Sequence, residues 1–183
     1  IFPITIVATG LVLAGNDLGT ATIILAIVFG ALFYAGVWLR LIAAAMAAVT
    51  IIGLLFVQLS DSRSNRIQAW LGQCSDPDLY STDCWQSIHG WEALAHGGIF
   101  GVGLGNSSGK WSWIPEADND FIFAIIGEEL GLIGAVLVLA LFVILAVCFV
   151  RIIRMNRDPF AKLVVSAAMV WIIGQAFVNI AVV

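Results

Sequence analysis

Long apolar runs separated by short polar turns set the rhythm of this chain. Leu41–Leu59, Leu132–Val150 and Leu163–Val183 contain no charged residue. Each approaches the ~20 residues needed to cross a ~30 Å hydrocarbon core. Leu18–Leu39 forms a fourth run, broken only by small or weakly polar residues, and Ile1–Ala14 a fifth that is too short to span alone. Runs of this length exceed the four to eight residues of a buried strand and predict helices. Between the first two runs lies "AGNDLGT", where Gly, Asn and Asp end one helix and start the next. Asp17 or Asn16 is suited to cap the second helix, because its side-chain oxygen can accept a free first-turn N–H. The turn faces the same side as the long polar segment, so a second, functional role for Asp17 stays open.

Composition narrows the class. The chain is 61% hydrophobic and 11% charged, with a mean hydropathy of +1.04, which excludes an ordinary soluble globular protein. The expected fold class is all-α: a polytopic membrane protein with about five transmembrane helices and one long outward loop. Residues 1–183 are expected to form a single membrane domain containing an extracytoplasmic loop over residues 60–119. The sequence begins with Ile, both ends lie in apolar runs, and the first residues have no basic stretch or cleavage site typical of a signal peptide. The expectation is an excerpt of a larger polytopic protein. A net charge of −4 gives no reason to expect a nucleic-acid partner.

Charge also orients the loops. "RIIRMNRDPFAK" holds Arg151, Arg154, Arg157 and Lys162 against Asp158, and "GVWLR" carries Arg40. Positive-inside bias places these turns in the cytoplasm and residues 60–119 outside. That segment holds Arg63, Arg66 and Lys110 against seven acids. Cys74 and Cys84 flank "SDPDLYSTD" within it, where an oxidising compartment permits a disulfide; two free thiols are the alternative. "SDSRSNRIQAWLGQ" reads as an interfacial helix with Ile67, Trp70 and Leu71 on one face. The tryptophans at 70, 85, 91, 111 and 113 place the loop against the outer leaflet. The glycine-rich stretch 97–109 cannot be regular helix throughout. Its glycines either let backbone approach a ligand or another helix, or form a flexible re-entrant turn. His89 and His96 lie seven residues apart and can share a helix face, but no cysteine or carboxylate completes a zinc set, so no metal site is expected.

Chemistry concentrates in "IPEADNDFIFAIIGEELG". Pro115 suits a first helical turn, and Glu116, Asp118 and Asp120 would favour the positive end of its dipole. Glu128 lies about 12 Å beyond Asp120 at ~1.5 Å per residue. It and Glu129 are intramembrane carboxylates, which normally face a protein interior or a wet cavity. Their expected partners are Arg63, Arg66, Gln175 and Asn179. The pattern suggests an outward polar cavity for a substrate with a lipid tail and a polar head.

"NDLGTA" (16–21), "GGIFGVGLGNSSGKW" (97–111) and "IPEADNDFIFAIIGEELGLIG" (114–134) occur in this order. With them the whole chain resembles the SEDS family of bacterial cell-wall proteins, the FtsW, RodA and SpoVE type. "FAIIGEELG" after "GVGLGNS" resembles the division-type FtsW branch more than the elongation-type branch. The resemblance implies about ten spanning helices of the usual ~20-residue length, with this chain covering roughly the fifth to the ninth. It implies a peptidoglycan glycosyltransferase that polymerises lipid II at the outer face of the bacterial cytoplasmic membrane. The partners implied are a class B penicillin-binding transpeptidase and other division proteins.

The family's essential acid falls on Asp120, the general base for the acceptor hydroxyl. Arg63, Arg66 and Lys110 would bind the pyrophosphate; Gln86 matches the first glutamine of a family loop motif, and Glu128 and Glu129 would line the substrate cavity. No ligand set points to a particular cofactor; a divalent cation beside the pyrophosphate stays an open alternative. Asn16 replaces the family's usual proline, and His89 stands where a second glutamine would be. The family's N-terminal helices and C-terminal Ser- and Gly-rich motif lie outside these residues, so the piece alone is expected to be inactive. The rival functions are a lipid II flippase and a non-catalytic division scaffold. Polar residues cluster toward the outer side, which favours surface chemistry over translocation.

Overall fold

The computed structural model describes residues 2–15, 17–58, 61–74, 83–109 and 121–182. These contain seven helices and no strand among the described residues. They are α1 (Phe2–Ala14), α2 (Leu18–Tyr34), α3 (Leu39–Gln58), α4 (Asp61–Trp70), α5 (Asp83–Gly97), α6 (Ile122–Met155) and α7 (Pro159–Val182). The expected all-helical architecture is the observed one.

Helix starts follow local chemistry. The Asp17 side chain caps α2, accepting from the Thr20 amide at 2.9 Å and from the Thr20 hydroxyl at 2.5 Å. Asp158 does the same for α7: its two carboxylate oxygens accept from the Phe160 amide at 3.1 Å and the Ala161 amide at 3.2 Å. Pro159 occupies the first position of that helix, where a missing N–H costs nothing.

Among the described residues, two helices are long and apolar enough to cross a membrane. Ile122–Met155 has 34 residues, and Pro159–Ala181 has 23. Pro3–Ala14, Leu18–Tyr34 and Leu39–Leu55 are shorter apolar helical stretches. Large side chains on these helices stand exposed, among them Ile4, Leu41, Leu137, Val143 and Phe177. Water would penalise such a surface at roughly 25 cal/mol per Å²; hydrocarbon does not.

The chain divides into two compact units. One comprises Ile1–Thr50 with Phe142–Phe177, the other Ile51–Leu141 with Val178–Val183. In the first, α1 packs on α2. In the second, α4 packs on α5, and the Trp70 indole N–H donates to the Ala181 carbonyl at 3.0 Å. Cys74 and Cys84 are joined as a disulfide with Cα atoms 6.0 Å apart. Buried Cys84 and Ala69 form a small core with Cys74 and Ile88.

The feature that shapes the second unit is a break in α6. Gly131 has φ 69° and ψ −167°, a combination essentially confined to glycine. In a continuous helix the Leu132 and Ile133 amides would donate to the carbonyls of Glu128 and Glu129. They donate instead to the Gly98 carbonyl at 2.9 Å and the Ile99 carbonyl at 3.3 Å. The two released carbonyls accept from Val102 N–H at 3.0 Å and Gly103 N–H at 3.1 Å. The glycine-rich stretch after α5 is thus spliced into the gap, and the carbonyls of 128 and 129 and the amides of 132 and 133 each find a partner in it. Backbone that leaves a helix ladder away from water must find such partners. A Cβ at Gly101 would collide with the Glu129 carbonyl, which explains glycine at this approach. The close neighbour allowed for by these glycines is a helix.

Candidate functional site

The splice brings the turn 107–109 against the second turn of α6. Glu128 is 1% exposed, the largest carboxylate burial among the described residues. Five donors converge on it. Oε1 accepts from Ser108 Oγ at 3.0 Å, the Ser108 amide at 3.2 Å and His96 Nδ1 at 3.2 Å. Oε2 accepts from Ser107 Oγ at 2.5 Å and the Gly109 amide at 3.4 Å. An ionised carboxylate is acceptor-only with about four lone-pair sites, so the protein itself occupies its hydrogen-bonding capacity. Among the described residues the partners of Glu128 are His96, Ser107, Ser108 and Gly109, while the side chains of the expected partners Arg63 and Arg66 lie outside the described set. The reason is geometric: the break at Gly131 lets the 97–109 backbone reach α6, so near hydroxyls and amides supply the pairing.

The N-terminal end of α6 is anchored by packing. Phe121 is 3% exposed and joins Ala93, Ala124 and Ile125 in a buried cluster, with Leu94 against it. Gly127 lies against Leu94, with no space for a Cβ between them.

A cavity of about 370 Å³ opens beside Glu128, lined by His89, Glu92, Ala93, His96, Ser108, Gly109 and Glu128. His89 and His96 share its wall, as their spacing on α5 predicts. The His89 Nδ1 is 2.8 Å from the Trp85 carbonyl, which can only accept, so that nitrogen carries the proton. Its Nε2 lies 3.9 Å from Glu92 Oε2, and the ring stacks on Trp85 with centroids 3.9 Å apart. The side chain of His96 is 65% exposed and stands between the buried carboxylate and the outside. Among the described residues, no group of three or more His, Cys, Asp or Glu side chains can hold a metal ion.

Gln86 is half-buried on α5 and does not line the cavity. Glu129 is half-buried, and its backbone carbonyl takes part in the splice; its side chain is not in the cavity wall. Arg63 and Arg66 lie on α4, their side chains outside the described set. Lys110, Pro115, Glu116, Asp118 and Asp120 lie outside the described residues. The residues that sequence reasoning left out are Ser107, Ser108 and, as a ligand of Glu128, His96. The shared face of the two histidines signalled His96, but the reading there concerned only zinc.

A helical chain with membrane-length apolar spans, a glycine-rich loop spliced into a helix break and a buried, multiply hydrogen-bonded carboxylate defines a polytopic membrane protein with an internal site. The chain belongs to the cell cycle protein family of FtsW, RodA and SpoVE, whose model matches residues 1–183. It is 42% identical over 178 residues to proteins of Mycobacterium bovis and Mycobacterium tuberculosis, each named "Probable peptidoglycan glycosyltransferase FtsW". Those matches cover 97% of this chain and 33% of each relative. A protein of the same name from Geobacter metallireducens is 37% identical over 174 residues, 94% of this chain and 45% of its own length. The chain therefore spans between a third and a half of the relatives it matches.

Proposed function

We propose that this chain forms part of a peptidoglycan glycosyltransferase of the division type, polymerising lipid II at the outer face of the bacterial cytoplasmic membrane. The observation that carries this reading is the 42% identity, across nearly all of the chain, to proteins named for that activity. The cavity beside Glu128 supports it, because a mostly apolar recess carrying a few polar groups, His89, Glu92, His96 and Ser108, suits a sugar headgroup on a lipid tail. The proposed partner is a class B penicillin-binding transpeptidase, working with other division proteins.

In this reading Asp120 is the general base. Its carboxylate takes the proton of the acceptor sugar 4-hydroxyl as that oxygen bonds to the anomeric carbon of the second lipid-linked saccharide. The anomeric carbon–oxygen bond to the pyrophosphate breaks, polyprenyl pyrophosphate leaves with the electron pair, and configuration inverts. Base catalysis of this kind contributes ~10²–10⁴-fold. Arg63, Arg66 and Lys110 are assigned to the pyrophosphate, where cationic donors make strong charge-assisted hydrogen bonds. Residues 60–119 face outward and the basic turn 151–162 faces the cytoplasm, following the positive-inside bias.

Glycan polymerisation by the full-length protein with its transpeptidase partner tests the assignment. Asp120→Asn should cut polymer formation by roughly two to four orders of magnitude at matched expression. Polymer formed at the wild-type rate by Asp120→Asn would remove Asp120 from the reaction. A wild-type complex without polymerising activity would remove the enzyme assignment altogether.

A further inference from the structure

The hydrogen bonds around Glu128 decide what the neighbouring cavity can recognise. Its oxygens take the Ser107 and Ser108 hydroxyls, the Ser108 and Gly109 amides and the Nδ1–H of His96. An ionised carboxylate can only accept, so each of these groups directs its proton at Glu128 and not into the cavity. With its proton on Nδ1, a neutral His96 ring keeps a lone pair on Nε2, at the edge turned away from Glu128. That side chain is 65% exposed and lines the cavity. His89 donates through Nδ1 to the Trp85 carbonyl, which leaves Nε2 as its acceptor nitrogen. This Nε2 stands 3.9 Å from the Glu92 carboxylate, too far for a direct hydrogen bond. The side-chain polar atoms turned to this recess are thus acceptors: two ring nitrogens, the Glu92 carboxylate and the Ser108 oxygen. They sit in a mostly apolar wall that includes Ala93.

We propose that this recess is a saccharide subsite, which takes one sugar ring of the substrate through its hydroxyl donors and excludes the pyrophosphate. The inference rests on the glycosyltransferase reading for the identity of the sugar; the hydrogen-bond polarity of the recess stands without it. A sugar hydroxyl can donate to His96 Nε2, and another can bridge the gap between His89 Nε2 and Glu92. The C–H faces of the ring then lie on the apolar wall. Pyrophosphate offers only acceptor oxygens and negative charge, so here it would meet lone pairs and the carboxylates of Glu92 and Glu128. Like charges brought together in this way discriminate strongly against the wrong ligand. Pockets for drug-sized ligands hold roughly 300–1,000 Å³. At about 370 Å³ this one lies at the small end, matched to a single ring rather than to a whole headgroup. His96 is the specificity-determining residue, because Glu128 fixes the tautomer that makes Nε2 an acceptor.

The test uses the full-length protein with its transpeptidase partner. Diethyl pyrocarbonate labels an unprotonated imidazole nitrogen, and mass spectrometry reads the label at His96. Excess soluble disaccharide prepared from lipid II should slow labelling of wild-type His96 several-fold. Inorganic pyrophosphate and the free stem peptide should leave it unchanged. His96→Ala should raise KM for lipid II by roughly three- to tenfold, the effect of one hydrogen bond, with kcat changed less. His96→Gln, which keeps an acceptor, should recover part of that loss. Glu92→Lys, at an exposed side chain, puts a cationic donor in the recess and should let pyrophosphate protect His96 from the label. Protection of the wild type by pyrophosphate or by the peptide in place of the disaccharide overturns the subsite. So does an unchanged KM in His96→Ala. Polymer made by a wild-type complex whose His96 the disaccharide fails to protect removes the subsite and leaves the glycosyltransferase reading intact. Protection by the disaccharide without any polymer removes that reading and leaves a saccharide site.

Discussion

At the turn between α1 and α2, Asp17 takes both the hydroxyl and the amide of Thr20. The hydroxyl contributes most and the amide next in holding the Asp17 carboxyl below the usual carboxylate range. A carboxyl whose folded value is depressed stabilises the fold above its unfolded value, and loses that contribution as pH falls through the folded one. Thermal unfolding of the purified protein should therefore show Asp17→Ala less stable than wild type at neutral pH. The gap should narrow below about pH 4, where the unfolded carboxyl takes up its proton. A gap independent of pH would show that the cap acts without its charge. This capping role was legible in "NDLGT", because an N-cap bonds within three residues of itself. The Glu128 site was not. Its donors lie 19 to 32 residues away in sequence, and no local period encodes which hydroxyl a buried acid will meet.

Among the elements, α6 shows where sequence pattern succeeds and where it stops. Its apolar run predicts a span, and the structure extends the helix from Ile122 to Met155. The break inside it was hidden, because one glycine in a greasy run is common in membrane helices. The "GGIFGVGLG" stretch left ligand approach and helix approach open; the exchanged hydrogen bonds with residues 128–133 show a helix there. Gly131→Ala should destabilise the protein by more than about 2 kcal/mol, through forbidden dihedrals and a collision with the Ile99 carbonyl. Gly36 also has a positive φ, but its missing Cβ faces open space, so Gly36→Ala should cost only about 1–2 kcal/mol. Chemical denaturation of both variants in the same detergent measures the difference. Equal losses would mean that the crowding at Gly131 is relieved by movement elsewhere.

For the whole molecule, apolar outer faces, basic turns and the Cys74–Cys84 bond all bear on one question, which side faces out. A disulfide persists in an oxidising compartment and is rare in a reducing one. Closing a loop of this size removes about 3 kcal/mol of unfolded-chain entropy in the loop-closure model. Mass spectrometry of protein alkylated under denaturing, non-reducing conditions should find Cys148 modified and Cys74 and Cys84 protected. An alkaline phosphatase reporter fused after Gln73 should be active, and one fused after Asn156 inactive. The reverse pair of activities would invert the proposed orientation. The membrane class and the sidedness argument were readable from hydropathy and charge, since both depend on bulk transfer energies rather than on particular contacts.

The splice into α6 also makes residue count a constraint in its own right. Residues 98 and 99 serve the amides of 132 and 133, while residues 102 and 103 serve the carbonyls of 128 and 129. The spacing of the two pairs along one strand of chain must therefore match their spacing along the other. Many side chains could replace Phe100, which is exposed, without disturbing that match. Deleting the residue would move the acceptors and donors out of step and leave two of the four pairs unmade. A backbone group orphaned away from water costs a few kcal/mol, a large share of the stability of one marginally stable unit. Between Gly98 and Gly103 this chain should admit changes of letter and refuse changes of length.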